Sequence, residues 1–421
     1  MINELLKNIF SFEKDEKTQI LTIKIFGIKF KKNLFKIKMN SFLKQNQKYN
    51  KKNSNNTVKR RLFLTTGNLS LLNTITAIKQ LNEPNCYDVL VVISHLTNNN
   101  FEKSIKIMSS LHDFKEVYTQ YGDARELNIR NKLFIDNNLY NFDEIYFSNQ
   151  ELYICITNDL YKYSKWIMIE EGPNGKFNFP EGNYKKVSKM IMHEYLDNKI
   201  DSFGFSDEIK KKIIPLDKSI FLDVANSCAK KCPVNINTKE DEKIILLCGL
   251  WWENTGLTKE EYIELQESYI EKFLDKGYTI WFKPHPRDGR DYIKNDKVKV
   301  LETALPLECY KFSNVVATVS FLSTSSLFSY YFSNIPGFQI KMQNMQTNNR
   351  IDTVRFLVKK IVQDYAPPIE YLLDLDTKHL SLFETKEKIK DVYLNYMNKL
   401  PNISENKDMI KLANELGYKL N

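Results

Sequence analysis

Short apolar runs rich in β-branched and aromatic residues recur along this chain, and each hands over to a polar loop at its C-terminal end. Leu62 to Thr65, Tyr87 to Ile93, Asp143 to Phe147, Tyr153 to Ile156 and Lys165 to Ile169 form one series; Lys243 to Trp251, Tyr278 to Phe282, Val298 to Leu301 and Asn314 to Val319 form a second. Runs of this length and composition read as buried strands. Helical patterns fill the intervals. Leu71 to Leu81 follows the turn Thr66-Gly67-Asn68, and Thr258 with Glu261 makes a capping box that opens a helix with Tyr262, Leu265, Tyr269, Phe273 and Leu274 on its buried face and Gly277 at its end. The last strand feeds a Ser/Thr run into a helix from Leu327. Strand–helix alternation of this kind produces a parallel sheet covered on both faces. A polar stretch from Lys230 to Asp241, containing Pro233, separates the two series. The expected architecture is therefore α/β, with Rossmann-like units at residues 57–235 and 236–421, the second followed by C-terminal helices.

Charge is distributed unevenly. Met1 to Arg61 holds sixteen Lys/Arg against four Asp/Glu, a net of +12, while the other 360 residues sum to −3 within a total of +9. A basic leading segment fits attraction to an anionic surface. Ile2, Leu5, Leu6, Ile9 and Phe10 share one face of a helical wheel, the layout of a short interfacial helix. Gln19 to Phe30 alternates around Gly27 as a hairpin would, and the Asn/Lys tract from Lys44 to Lys59 reads as a linker. Residues 1–56 are thus expected to be a basic N-terminal extension that attaches to a membrane surface. No apolar run approaches the ~18 residues of a spanning helix, and no signal-peptide pattern is visible. The expected location is cytoplasmic, with peripheral attachment to the inner membrane. Six cysteines, mostly in apolar stretches, suit reduced buried thiols. Cys228 and Cys232 lack a second ligand pair at zinc spacing.

Chemistry concentrates at strand ends. Glu170-Glu171-Gly172 follows Trp166 to Ile169, and Lys283-Pro284-His285-Pro286 follows Tyr278 to Phe282. In open α/β sheets ligands bind at that end. A carboxylate on one unit and a histidine on the other supply a base for an acceptor hydroxyl and an acid for a leaving group. Adjacent carboxylates in extended chain point to opposite sides, so only one of Glu170 and Glu171 can be the base. Ser323-Thr324-Ser325-Ser326 precedes a helix, where hydroxyls and free amides form either an ordinary cap or an anion site. Asn68, after the first strand, is a candidate sugar or acceptor contact that turn chemistry also explains.

These marks, in this order, resemble the bacterial sialyltransferases that build lipooligosaccharide caps and polysialic acid capsules. Those enzymes share an acidic-acidic-Gly motif, a His-Pro motif and a later Ser/Thr pair, matched here by Glu170-Glu171-Gly172, His285-Pro286 and Ser323 to Ser326. The resemblance covers roughly Lys59 to Gln339. It implies two domains facing a cleft, the glycosyltransferase B type, and inverting transfer of sialic acid from CMP-sialic acid to a cell-surface glycan acceptor. It also implies Glu170 as the base, Glu171 held by backbone or acceptor contacts, Gly172 permitting a tight turn, and His285 as the acid with Lys283 and Arg287 raising the positive potential. Pro284 and Pro286 fix that loop. Ser323, Thr324, Ser325 and Ser326 would contact the phosphate, and Glu308 the cytidine ribose. Because the leaving group is a phosphate monoester, neither a metal nor another cofactor is expected.

Rival readings remain. A CDP-glycerol-type phosphotransferase shares a Lys-x-His-Pro motif and paired serines but carries an acid and tyrosine where this chain has Leu322-Ser323-Thr324. A Kdo transferase would use another CMP-sugar. A basic nucleic-acid-binding protein is disfavoured, since the positive charge is confined to the first segment while the motifs lie elsewhere. Asp374-Leu375-Asp376 has an acid-x-acid form used for metals but no strand leads to it. His95, His112, His193 and His379 have no companion motif and read as structural.

Overall fold

The computed structural model describes residues 10–15, 20–25, 28–33, 38–45, 58–94, 99–122, 133–148, 161, 163–172, 187–194, 207–234, 238–249, 257–285, 293–321, 323, 325–341, 360–361 and 363–415. The expected strand Tyr153 to Ile156, the helix at Ile2 to Ile9, most of the linker tract, Pro286, Arg287 and Thr324 lie outside them.

The N-terminal segment opens with an antiparallel sheet of β1 (Phe10–Asp15), β2 (Ile20–Ile25) and β3 (Ile28–Asn33). The hairpin is the one the alternation around Gly27 predicts, with Ile25 opposite Ile28. Phe10, read above as part of a helical face, instead begins a strand paired with Ile25. Helix α1 (residues 38–45) follows and sends Phe42 into the core of the next sheet.

The first parallel sheet contains β4 (Lys59–Thr65), β5 (Cys86–Ser94), β6 (Glu116–Tyr121), β7 (Glu144–Phe147), β8 (Lys165–Ile169), β9 (Val187–Met192) and β10 (Ile213–Pro215), in spatial order β10-β9-β8-β7-β4-β5-β6. Helices α2 (Asn68–Leu81), α3 (Asn99–Ser109) and α4 (Lys218–Lys231) accompany it. The second contains β11 (Ile244–Cys248), β12 (Thr279–Lys283), β13 (Lys299–Val300), β14 (Val315–Phe321) and β15 (Gly337–Ile340), ordered β13-β12-β11-β14-β15, with α5 (Lys259–Asp275) and α6 (Ser325–Ser333). Helices α7 (Leu382–Lys399) and α8 (Lys407–Glu415) follow. In each sheet the chain works outward from the first strand to one edge, then crosses back to the other side. That reversal is the doubly wound order, and it opens a crevice at the C-terminal ends of β4 and β7 and of β11 and β14.

Apolar runs are continuous because both sheet faces are covered. Leu62 and Leu64 of β4 enter one core cluster and Phe63 the other; Ile245 and Leu247 of β11 point oppositely to Ile244, Leu246 and Cys248. Helix α5 has the expected capping box between Thr258 and Glu261 and ends at Gly277, whose φ of +82° is the left-handed conformation that favours glycine. Its buried face is centred on Tyr262, Ile263, Gln266, Ile270 and Phe273, with Leu265, Tyr269 and Leu274 only partly covered. One core cluster crosses between the units, joining Ile169, Ile191 and Phe221 to Phe328, Phe332 and Tyr365.

Near the N-terminal ends of two interior strands of the first sheet a buried ion pair joins β4 to β5. Arg61 donates from Nε to Asp88 Oδ1 at 2.7 Å and from Nη2 to Oδ2 at 2.6 Å, and His112 Nε2 lies 2.6 Å from the same Oδ2. Desolvation pushes the Asp88 carboxyl up, but the hydrogen bonds from His112 and Arg61 outweigh it and hold the pKa below its usual value. A depressed pKa contributes stability above the unfolded value, roughly 3.9, that is lost as pH falls through the folded value. Asp88→Asn should therefore cost about 3–5 kcal/mol near neutrality, because among the described residues the buried Arg61 would keep only its longer 3.4 Å contact with Glu83 as a charged partner. It should also flatten the acid limb of the stability curve, measured as urea midpoints from about pH 6 to about pH 3. Equal acid dependence in variant and wild type would count against this role.

Candidate active site

Every motif residue that is described sits at or beyond the C-terminal end of a strand. Asn68 opens α2 just past β4, Glu170 to Gly172 follow β8, Lys283 ends β12 with His285 two residues on, and Ser323 and Ser325 follow β14. The two C-terminal edges face each other: Asn68 Nδ2 donates to Ala304 O at 3.2 Å, joining the residue past β4 to the loop past β13. A cavity of about 580 Å3 opens beside this bond, lined by Asn100 and Lys103 of α3, Cys232 to Val234 after α4, and Val300 to Glu302 with Ala304.

The acidic pair is split by burial. Glu170 is 0 % exposed, and its Oε2 accepts the His193 backbone N–H at 2.7 Å. Its own N–H donates to Ile191 O at 2.9 Å, and its carbonyl accepts Asn73 Nδ2 at 2.8 Å. Glu171 is half-buried, and its Oε1 accepts the Thr66 hydroxyl at 2.5 Å. Consecutive residues leaving a strand point to opposite sides, so one carboxylate enters the core and the other the cleft. Burial in this structure thus favours Glu171 over the expected Glu170 as the carboxylate within reach of an acceptor hydroxyl. Gly172 also differs from expectation. Its φ is outside the left-handed region, and a Cβ there would meet Leu69 Cδ2 at an ordinary 3.5 Å, so this turn does not demand glycine.

On the second unit, Lys283, Glu308 and Ser325 gather around Cys248 at the end of β11. Desolvation pushes the Lys283 ammonium down and the Glu308 carboxyl up, each opposed by the attraction between them. Desolvation raises the Cys248 thiol to about 11 despite nearby Lys283 and a hydrogen bond with Ser325, so it stays protonated at neutral pH. Lys283 Nζ also donates to Pro284 O at 3.1 Å. His285 is half-buried. The loop carrying it runs close to Gly249, where a Cβ would lie 3.1 Å from His285 N and 3.0 Å from the Phe282 ring. Gly249 N donates to Lys283 O at 2.9 Å, extending the β11–β12 ladder to the foot of the loop.

The serine run divides between cap and cleft. Ser323 Oγ accepts from Ser325 N at 3.3 Å and contacts Ser325 Oγ at 3.0 Å, so Ser323 caps α6. Both are half-buried, whereas Ser326 is 0 % exposed and donates to Ser323 O at 3.0 Å. Gln339 Nε2 donates to Ser320 Oγ and Ser323 O, each at 2.9 Å, and to Ser326 Oγ. The expectation that Ser326 touches a ligand is thus corrected: burial makes it a structural anchor. Asn68 is likewise engaged, with Oδ1 accepting Ser104 Oγ at 2.6 Å besides its bond to Ala304. In this structure it is a strut between the units.

Sequence reading missed Asn73, Gly249, Gly337 and Gln339, and took Thr66 only as part of a turn and His193 only as structural. His193 had a usable signal, since it follows the apolar run Met190 to Met192 as Glu170 follows its own. Asn73 and Gln339 lie inside regular elements, where nothing local marks them. Among the described residues no group of three or more His, Cys, Asp and Glu is placed to hold a metal ion. Cys228 is hydrogen-bonded to Cys309 across the junction of the units, both as buried free thiols.

The fold is shared with enzymes acting on nucleotide sugars. The UDP-GlcNAc 2-epimerase from Neisseria meningitidis, solved with UDP-GlcNAc, superposes with a TM-score of 0.52 at 11% identity, covering 85% of this chain and 98% of that one. A Listeria monocytogenes protein assigned as a UDP-N-acetylglucosamine 2-epimerase gives 0.50 at 11% identity, covering 82% and 92%. At such identity the likeness establishes the two-domain glycosyltransferase B arrangement and nothing finer. No curated protein matches significantly by sequence. The pattern of the Alpha-2,8-polysialyltransferase (POLYST) family does match, over residues 33–341, from the end of β3 to just past β15, and takes in the acidic turn, the histidine loop and the serine run; the chain belongs to that family of glycosyltransferases.

Proposed function

We propose that this glycosyltransferase moves sialic acid from CMP-sialic acid to a cell-surface glycan, with inversion at the anomeric carbon and no metal ion. The observation carrying this reading is the placement of a half-buried carboxylate, Glu171, and a half-buried histidine, His285, on the facing C-terminal edges of the two sheets. Glu171 takes the proton of the acceptor hydroxyl, whose oxygen attacks the anomeric carbon as the bond from that carbon to the phosphate oxygen breaks. His285 donates a proton to the departing oxygen, and CMP leaves. One displacement inverts the centre. Glu170 anchors the acidic turn from beneath. Lys283 offsets phosphate charge, Ser323 and Ser325 donate hydroxyls at the start of α6, and Glu308 accepts from the ribose. Thr324 and Pro286 complete those segments. A polymer of negatively charged sugars would enter through the interdomain cavity past Lys103.

Incubation with CMP-sialic acid and a sialylated oligosaccharide should release CMP and give an inverted linkage by NMR, undiminished by a chelator. CMP should raise the melting temperature more than CDP. Turnover of CDP-glycerol alone would refute the donor assignment.

The basic residues 1–56 are further proposed to hold the enzyme peripherally on the anionic inner membrane face, near its acceptor. Among the described residues no helix is long and apolar enough to cross a membrane. Deleting residues 1–37, which leaves α1 and its core residue Phe42 in place, should weaken salt-sensitive binding to anionic vesicles while activity on soluble oligosaccharides persists. An unfolded truncation would show instead that the segment belongs to the core.

A further inference from the structure

We propose that His193 is a positioning residue that makes the geometry of the acidic turn depend on docking of the second domain. It immediately follows β9 and is 1 % exposed. Its backbone N–H holds the Glu170 carboxylate at 2.7 Å. Its ring Nε2 lies 3.0 Å from Asn73 Oδ1, a donor contact when that nitrogen carries the proton, and Asn73 Nδ2 reaches the Glu170 carbonyl at 2.8 Å. Asn73, braced by the His193 ring, thus holds the backbone of Glu170, and the His193 main-chain amide holds its carboxylate. Glu171, the next residue, is held from the other side by Thr66.

The other faces of the His193 ring are gripped from both domains. Phe221 of α4 meets it edge-on at 4.9 Å, and Tyr331 and Phe332 of α6 meet it at 5.8 and 5.1 Å. Phe332 in turn packs on Phe221 at 4.6 Å. Helix α6 begins at Ser325, beside Lys283 and Glu308, and ends by this aromatic cluster. One short helix therefore spans from the proposed phosphate contact to the ring that sets Glu170. Loss of the α6 contacts would uncover that ring and release the amide that fixes the turn. Because reaction rate depends steeply on reactant orientation, the acidic turn is in working order only with α6 seated.

This inference rests on the proposed role of the acidic turn. His193→Phe keeps the ring but removes the bond to Asn73, whereas His193→Gln keeps a polar group there. His193→Phe should lower kcat about tenfold, with CMP affinity unchanged within about twofold, and His193→Gln should recover part of the loss. Phe332→Leu, on the other domain, should lower kcat in the same manner. Combining His193→Phe with Glu170→Gln should give less than the product of the two losses, since both act by displacing Glu170, one through its carbonyl and the other through its carboxylate. A normal kcat in folded His193→Phe, fully multiplicative losses, or a lowered melting temperature without a kcat change in Phe332→Leu would overturn the inference. If Glu171→Gln is inactive while His193→Phe is normal, only this inference fails; if Glu171→Gln remains active, the reading of the acidic turn fails first.

Discussion

Glu171→Gln is expected to reduce turnover by about a hundredfold or more while leaving the melting temperature within a degree or two of wild type. The amide retains the shape of the side chain and can still accept the Thr66 hydroxyl, so folding loses little. It cannot accept a proton, so the acceptor hydroxyl must attack unassisted. Glu170→Gln should show the opposite balance. The enclosed carboxylate accepts the His193 N–H, and a hydrogen bond to a charged group contributes about 1.5–3 kcal/mol, part of which the neutral amide forfeits. Its turnover should fall by about tenfold through displacement of the turn rather than loss of the base. Single-turnover rates with saturating CMP-sialic acid, alongside thermal melts, separate the two variants. An inactive but fully stable Glu170→Gln beside a normal Glu171→Gln would return the base to Glu170.

Gly337→Ala should be among the most damaging single-methyl changes in the molecule. A Cβ at Gly337 would lie 1.9 Å from Ser326 O and 2.7 Å from Ser326 Cα, backbone atoms of the first turn of α6. Rotamer adjustment cannot relieve a collision with backbone, so either β15 or the start of α6 must move. The expected cost is about 3 kcal/mol or more, at or above the usual range for overpacking, read from the denaturant midpoint. Because Ser323 and Ser325 belong to the displaced turn, the stabilisation by CMP should be lost with it. Gly67→Ala and Gly172→Ala are natural controls. At Gly67 nothing lies within 4 Å of the added carbon, and at Gly172 the contact is an ordinary 3.5 Å. Both should stay near wild type. Gly337→Ala with an unchanged midpoint and normal CMP response would show that the close approach is easily relaxed.

The difference between Gly172 and Gly337 illustrates what local pattern can convey. Gly172 sits in a recognisable motif and was expected to need its glycine, yet its φ and its surroundings tolerate a side chain. Gly337 carries no motif and has no room at all, because a helix twelve residues earlier packs its backbone against the strand. The strands were legible because burial on both faces forces apolar, β-branched runs that few other elements tolerate. The capping box at Thr258 and Glu261 was legible because cap partners are only three residues apart.

Composition and order alone determined that this chain forms two series of αβ units, that its positive charge is concentrated ahead of them, and that its motif residues leave the C-terminal ends of strands; the doubly wound order of each sheet is a tertiary result. Those properties follow from short-range rules: side-chain period, helix capping and the direction of a parallel strand. Which of two adjacent glutamates faces the cleft, that Ser326 and Asn68 serve as anchors, and that His193 supports Glu170 were decided only in three dimensions. Burial and hydrogen-bond partnership are set by chain segments far apart in sequence, such as Asn73 with His193 and Asn68 with Ala304. No neighbouring residue carries a record of those encounters.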